Sequence, residues 1–144
     1  MASAISVTLK NYRCFTDIRP ATMDFGSGFT AFVGPNNSGK SAYLKFFYEF
    51  HNLWQNLLNP GILAQFNNEP VNSFGVGQPR YVVDVQELLS DYTGRPLGVE
   101  FRLRTSPAAE PYVDSIVLDS EPGNPSVWRG RVRCAPSQCH RLRV

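Results

Sequence analysis

Gly34-Pro35-Asn36-Asn37-Ser38-Gly39-Lys40-Ser41 fits the pattern G-x-x-x-x-G-K-[ST], the signature of a phosphate-binding loop. The chemistry explains the spacing. Gly34 and Gly39 let the backbone curl so that its N–H groups face a phosphate, with Pro35, Asn36, Asn37 and Ser38 forming the arc between them. Lys40 supplies a point charge, and the Ser41 hydroxyl is the expected ligand for Mg²⁺. A helix beginning here would add unpaired N–H groups and the positive end of its dipole.

The flanking residues fit that reading. Phe29-Thr30-Ala31-Phe32-Val33 is a short β-prone run, expected to be a buried strand feeding the loop. After the loop, Tyr43, Leu44, Phe46, Phe47, Phe50, Leu53, Trp54, Leu57 and Leu58 recur at helical spacing. They predict one helix from Lys40 to Leu58, ended by Asn59-Pro60-Gly61.

Upstream, Ile5, Val7 and Leu9 alternate with polar residues as in a half-buried strand, and Ala21, Met23 and Phe25 suggest a second. Downstream, residues 60–79 read as an irregular loop and Tyr81-Val82-Val83 as a strand. Asp84-Val85-Gln86-Glu87 reads as a capped short helix through Leu89. Residues 91–96 and 106–111 read as loops. Val99–Leu103 and Val113–Leu118 read as strands, with a weaker one over Val127–Val132. The expected class is α/β, with a mixed parallel and antiparallel sheet around the phosphate-loop helix.

The chain has 144 residues, 42% hydrophobic and 18% charged, which suits one globular domain. A formal charge of +2 is too small to argue for nucleic acid by itself. Arg129, Arg131, Arg133, Arg141 and Arg143 nevertheless crowd the end, with no acid after Glu121. Cys14, Cys134 and Cys139 make no disulfide framework, and Cys134, Cys139 and His140 lack the spacing of common zinc modules. No secretory leader and no membrane-spanning run is evident, so the cytoplasm is the expected location.

Val7-Thr8-Leu9-Lys10-Asn11-Tyr12-Arg13-Cys14-Phe15, taken with the loop and its Asn36-Asn37 pair, resembles the start of ABC-type ATPases of the SMC, RecF and OLD group. The resemblance is clear over residues 1–50. It implies a P-loop ATPase N-terminal lobe binding ATP and Mg²⁺ through residues 34–41, in a parent protein acting in DNA metabolism or defence. It implies a site completed by a second ATPase head, and it matches Arg13 to a basic residue that approaches the nucleotide phosphates. Residues 1–128 are expected to form a partial lobe and 129–144 a basic irregular tail, disordered or out of frame in a truncated product.

The sequence also departs from that group. Ile116-Val117-Leu118-Asp119 resembles the apolar run and Asp of a Walker B segment, but Ser120 stands where Glu is expected. Leu89-Ser90-Asp91-Tyr92-Thr93-Gly94 lacks the glycine pair of a signature segment, and nothing around Gln78 marks it as a Q-loop residue. The chain alone is therefore expected to turn over little. The alternatives are another P-loop enzyme, a small kinase or a GTPase (no Asn-Lys-x-Asp guanine motif is present), and a non-hydrolysing nucleic-acid-binding fragment using the C-terminal arginines.

Overall fold

The computed structural model describes residues 4–68, 72–90, 95–104 and 113–134. Strands β1 (Ala4–Lys10) and β2 (Ala21–Phe25) come first. Helices α1 (Lys40–Glu49), α2 (His51–Leu57) and α3 (Pro60–Asn68) follow, then strand β3 (Asn72–Gly75). A 3₁₀ turn over Val85–Leu88 precedes β4 (Gly98–Arg104), β5 (Val113–Glu121) and β6 (Asn124–Cys134). The sheet is six-stranded, in the order β2-β1-β4-β5-β6-β3. Every pairing is antiparallel.

This corrects the expected mixed sheet. Phe29–Val33 forms no strand, and Phe29 and Val33 are 95% and 93% exposed. β1 has β2 on one side and β4 on the other, so the central ladder offers this run no place. A parallel strand needs a crossover and a parallel neighbour, and among the described residues no parallel neighbour exists. Only Phe32 is tethered, packing against Phe25 and Tyr43 with ring centroids 6.5 and 5.8 Å apart.

Alternation along each strand sets two faces. Val7, Leu9, Val99, Leu118 and Trp128 point to the helices and join Tyr43, Phe46, Phe50 and Leu53 in one core. Phe50 meets Trp128 edge-on at 5.5 Å, and Trp54 meets Phe101 at 5.3 Å. The Tyr43 hydroxyl donates to the Val7 carbonyl at 2.8 Å, fixing α1 across β1.

The single helix expected over residues 40–58 is broken at Phe50, whose φ of −97° and ψ of 32° leave the helical region. The break lets both Phe46 and Leu53 reach the core. Within residues 60–79, read as an irregular loop, the described residues form α3 and β3. Pro60 suits the first position of a helix, and the Asn59 side chain accepts from Gly61 N–H at 2.9 Å, so the segment that ends one helix begins another. Tyr81–Val83 is not a strand, and Tyr81 has a positive φ of 59°. The Asp84 cap is present, accepting from Gln86 N–H at 2.9 Å.

Of the expected tail, Arg129 to Cys134 belongs to β6. Residues 135–144, with Cys139 and His140, lie outside the described residues, as do 91–94 and 105–112. No helix among the described residues is long and apolar enough to cross a membrane.

Candidate functional site

Residues 36–42 and Cys14 line an open cavity of about 590 Å³ at the start of α1. Asn37 and Gly39 both take left-handed backbone angles, φ 63° and 84°. Gly39 is the residue before α1, which has no side-chain cap and no acid in its first turn. The first N–H groups of that helix are therefore open to a ligand or to water.

Lys40 folds back into the loop. Its ammonium donates to the carbonyls of Gly34 and Pro35 at 2.6 and 2.5 Å and to Ser38 Oγ at 3.1 Å. Neutral oxygens hold the cation, and no carboxylate of the described residues lines the cavity. Among the described residues none is close enough to form an ion pair with it.

The segment Asn11–Phe15 braces the loop. A Cβ at Gly39 would stand 2.8 Å from the Phe15 ring and 3.3 Å from Cys14 Sγ, so the glycine lets this segment lie against the loop. Gly39→Ala meets both that contact and the left-handed φ. We expect it to distort the loop, abolish any anion binding there and cost about 2 kcal/mol. Amide shifts of residues 36–42 and urea unfolding would measure the two effects; a variant indistinguishable from wild type would refute the brace.

Arg13 stands at the other end of α1. Its guanidinium donates to Glu49 Oε1 at 2.5 Å and to the Tyr12 hydroxyl oxygen at 3.1 Å. Tyr12, fully buried, donates its own hydroxyl to Glu49 Oε2 at 2.6 Å. Burial first, and then the bond to Glu49, push the Tyr12 phenol well above its ordinary range, so it remains a neutral donor. Arg13 also has a positive φ of 49°, held by the bond from its N–H to the Leu88 carbonyl at 2.9 Å. The phosphate-approaching role implied for Arg13 thus meets a guanidinium already engaged by Glu49.

Sequence reasoning missed Tyr12, Cys14, Phe15 and Glu49. A signal existed for Glu49, which lies three residues after Phe46 on the buried stripe of α1. A carboxylate in an apolar stripe calls for a partner.

The expected Mg²⁺–ATP site is corrected by the same geometry. The Walker A reading requires a strand that delivers the loop from a parallel sheet, and here the sheet is antiparallel and the residues before the loop are unpaired. Ser41 is exposed, and no group of three or more potential metal-ligating His, Cys, Asp or Glu residues occurs among the described residues. Asp119, which the sequence places at a strand end entering a turn rather than in a metal role, lies on the sheet face away from the helices, 3.4 Å from Arg131. ATP and Mg²⁺ do not fit this frame as expected.

A family model for an AAA ATPase domain matches residues 5–89, more than half of the chain. The chain belongs to the AAA ATPase domain family. The match runs from β1 to Leu89, whose bridge to Tyr12 closes the matched region on itself. It thus includes the loop, the Asn11–Phe15 brace and Glu49, so this family member keeps the loop residues on an antiparallel support. Neither a curated protein nor a solved structure matches the chain.

Proposed function

We propose that the cavity at residues 36–42 is an anion site that takes a single phosphate group. It would be held by Lys40, Ser38 and the open N–H groups at the start of α1. The observation that carries this reading is the Lys40 ammonium, drawn into the loop by neutral oxygens in a cavity that no acid of the described residues lines. A phosphate oxygen is a stronger partner for an ammonium than a carbonyl is, so an arriving anion can take Lys40 over from Gly34 and Pro35. The antiparallel sheet supplies no frame for a positioned nucleotide, and the proposal extends to the phosphate group alone.

Within the AAA ATPase domain family we assign the chain to the SMC/RecF/OLD-like branch. The Asn11–Phe15 segment and the Asn36-Asn37 pair support that assignment. A second head as partner follows from it as part of the same proposal.

The test is a titration with inorganic phosphate at fixed ionic strength, followed by amide NMR shifts. Saturable shifts confined to residues 36–42 and Cys14, lost in Lys40→Ala, are the expected result. A tenfold or greater loss of affinity matches removal of one charge-assisted bond. Wild-type protein without saturable shifts, or a Lys40→Ala variant that binds equally well, would reject the site.

A further inference from the structure

The sheet face away from the helices carries a second charged cluster, on residues the loop does not use. Arg102 on β4 is paired in register with Ser115 on β5, and Ser115 with Arg133 on β6. Adjacent strands lie about 4.8 Å apart, so the two arginines start from either side of the serine. Alternation puts all three side chains on one face, since their neighbours Phe101, Ile116 and Val132 pack against the core.

Ser115 is fully buried, and its hydroxyl has no hydrogen-bond partner among the described residues. Buried hydroxyls nearly always have one, so this one calls for an explanation. The arginines above it are half exposed and converge on one atom. Arg102 Nη2 lies 3.3 Å, and Arg133 Nη1 3.9 Å, from Oε1 of Glu100. One carboxylate between two guanidiniums leaves one positive charge in excess within this cluster. Neither distance describes the two-pronged bond that a guanidinium forms with a well-placed carboxylate. The next acid along the row, Asp24 on β2, lines one cavity with Glu100 and Arg102 and accepts from Ser6.

We propose that Arg102, Arg133 and Ser115 form a second oxyanion site, taking one phosphate group on the outer face of the sheet. The anion draws the two guanidiniums off Glu100 and accepts the Ser115 hydroxyl, giving the orphan donor its partner. The ligand class is phosphate, free or as a monoester, because two forked cations meet at one carboxylate oxygen on strands that flank an unpartnered hydroxyl. This proposal is independent of the loop reading and shares no residue with it.

The experiment uses the full chain carrying Lys40→Ala, so that the loop contributes nothing. Inorganic phosphate is titrated against chloride at constant ionic strength, with amide shifts followed on β4, β5 and β6. Phosphoserine and a short single-stranded oligonucleotide form separate arms. Saturable shifts at Arg102, Ser115 and Arg133 are expected. Arg102→Gln and Arg133→Gln should each weaken binding about tenfold, and Ser115→Ala about threefold or more. Stronger binding of phosphoserine than of phosphate would name a monoester as the ligand; the reverse would name the free ion. Either result supports the site. Absent saturation, equal affinity in the arginine variants, or an oligonucleotide that binds where phosphate does not would overturn it. Both arginines are half exposed, and near-wild-type amide spectra of their variants would show that the fold is kept.

Discussion

Glu49→Ala is expected to destabilise the protein by about 3 kcal/mol, the scale found when one partner of a buried ion pair is removed. The Glu49 side chain is 8% exposed and takes both the Arg13 guanidinium and the Tyr12 hydroxyl. Its loss leaves a fully buried phenol without an acceptor and a guanidinium, itself only 23% exposed, without its counter-charge. Glu49→Gln retains an acceptor for Tyr12 and should cost about half as much. Tyr12→Phe removes one hydrogen bond and should cost about 1 kcal/mol. Urea unfolding of the three variants, in that order of severity, is the measurement. A Glu49→Ala variant within about 0.5 kcal/mol of wild type would show that the network contributes nothing net. A functional effect should follow, because Arg13 is joined to Cys14 and Phe15, which lie against Gly39. Loosening one end of α1 should weaken anion binding at the other.

The second large effect is expected at Gly130. A Cβ there would fall on the ring of Phe66, which is 3% exposed in the core. Glycine on β6 therefore lets α3 lie against the sheet. Gly130→Ala must either push α3 off β6 or force the ring from its rotamer, at about 2–3 kcal/mol. Phe66→Ala alone should cost about 3–5 kcal/mol through the cavity it leaves. The double variant should cost clearly less than the sum, because the smaller side chain makes room for the new methyl. Strict additivity in that cycle would show that the two residues do not press on each other.

Much of the local structure was legible in the residues. Alternation located β1 and β2 and the strands around Val99 and Val113, because a sheet with one covered face demands period two. Asp84 marked its own turn, and Lys40 marked the start of α1. The phosphate-loop reading of residues 34–41 marked a stretch of which residues 36–41 line a cavity, but its Mg²⁺–ATP reading is overturned by the antiparallel sheet. It failed over how that stretch is supported. The break at Phe50 and the start of α3 at Pro60 were also missed. A continuous apolar stripe predicts a straight helix, whereas Phe46 and Leu53 reach their neighbours only across a bend. Asn59-Pro60-Gly61 was read as a stop, and the same residues also suit a start.

The sequence by itself determined where β1, β2, β4 and β5 fall, the cap at Asp84 and the start of α1 at Lys40, since these depend on neighbours a few positions away. Only the tertiary structure decided how the strands pair. β1 lies between β2 and β4, so Phe29–Val33 stays outside the sheet despite its β-prone composition. Only the tertiary structure brought Tyr12 and Arg13 to Glu49, or Arg102 and Arg133 to either side of Ser115. The physical reason is common to these cases. A backbone hydrogen bond or a buried charge must find a partner, but local preference does not say which distant segment supplies it. That choice is made by the whole chain at once, when the core closes and each ladder accepts the neighbours that satisfy it.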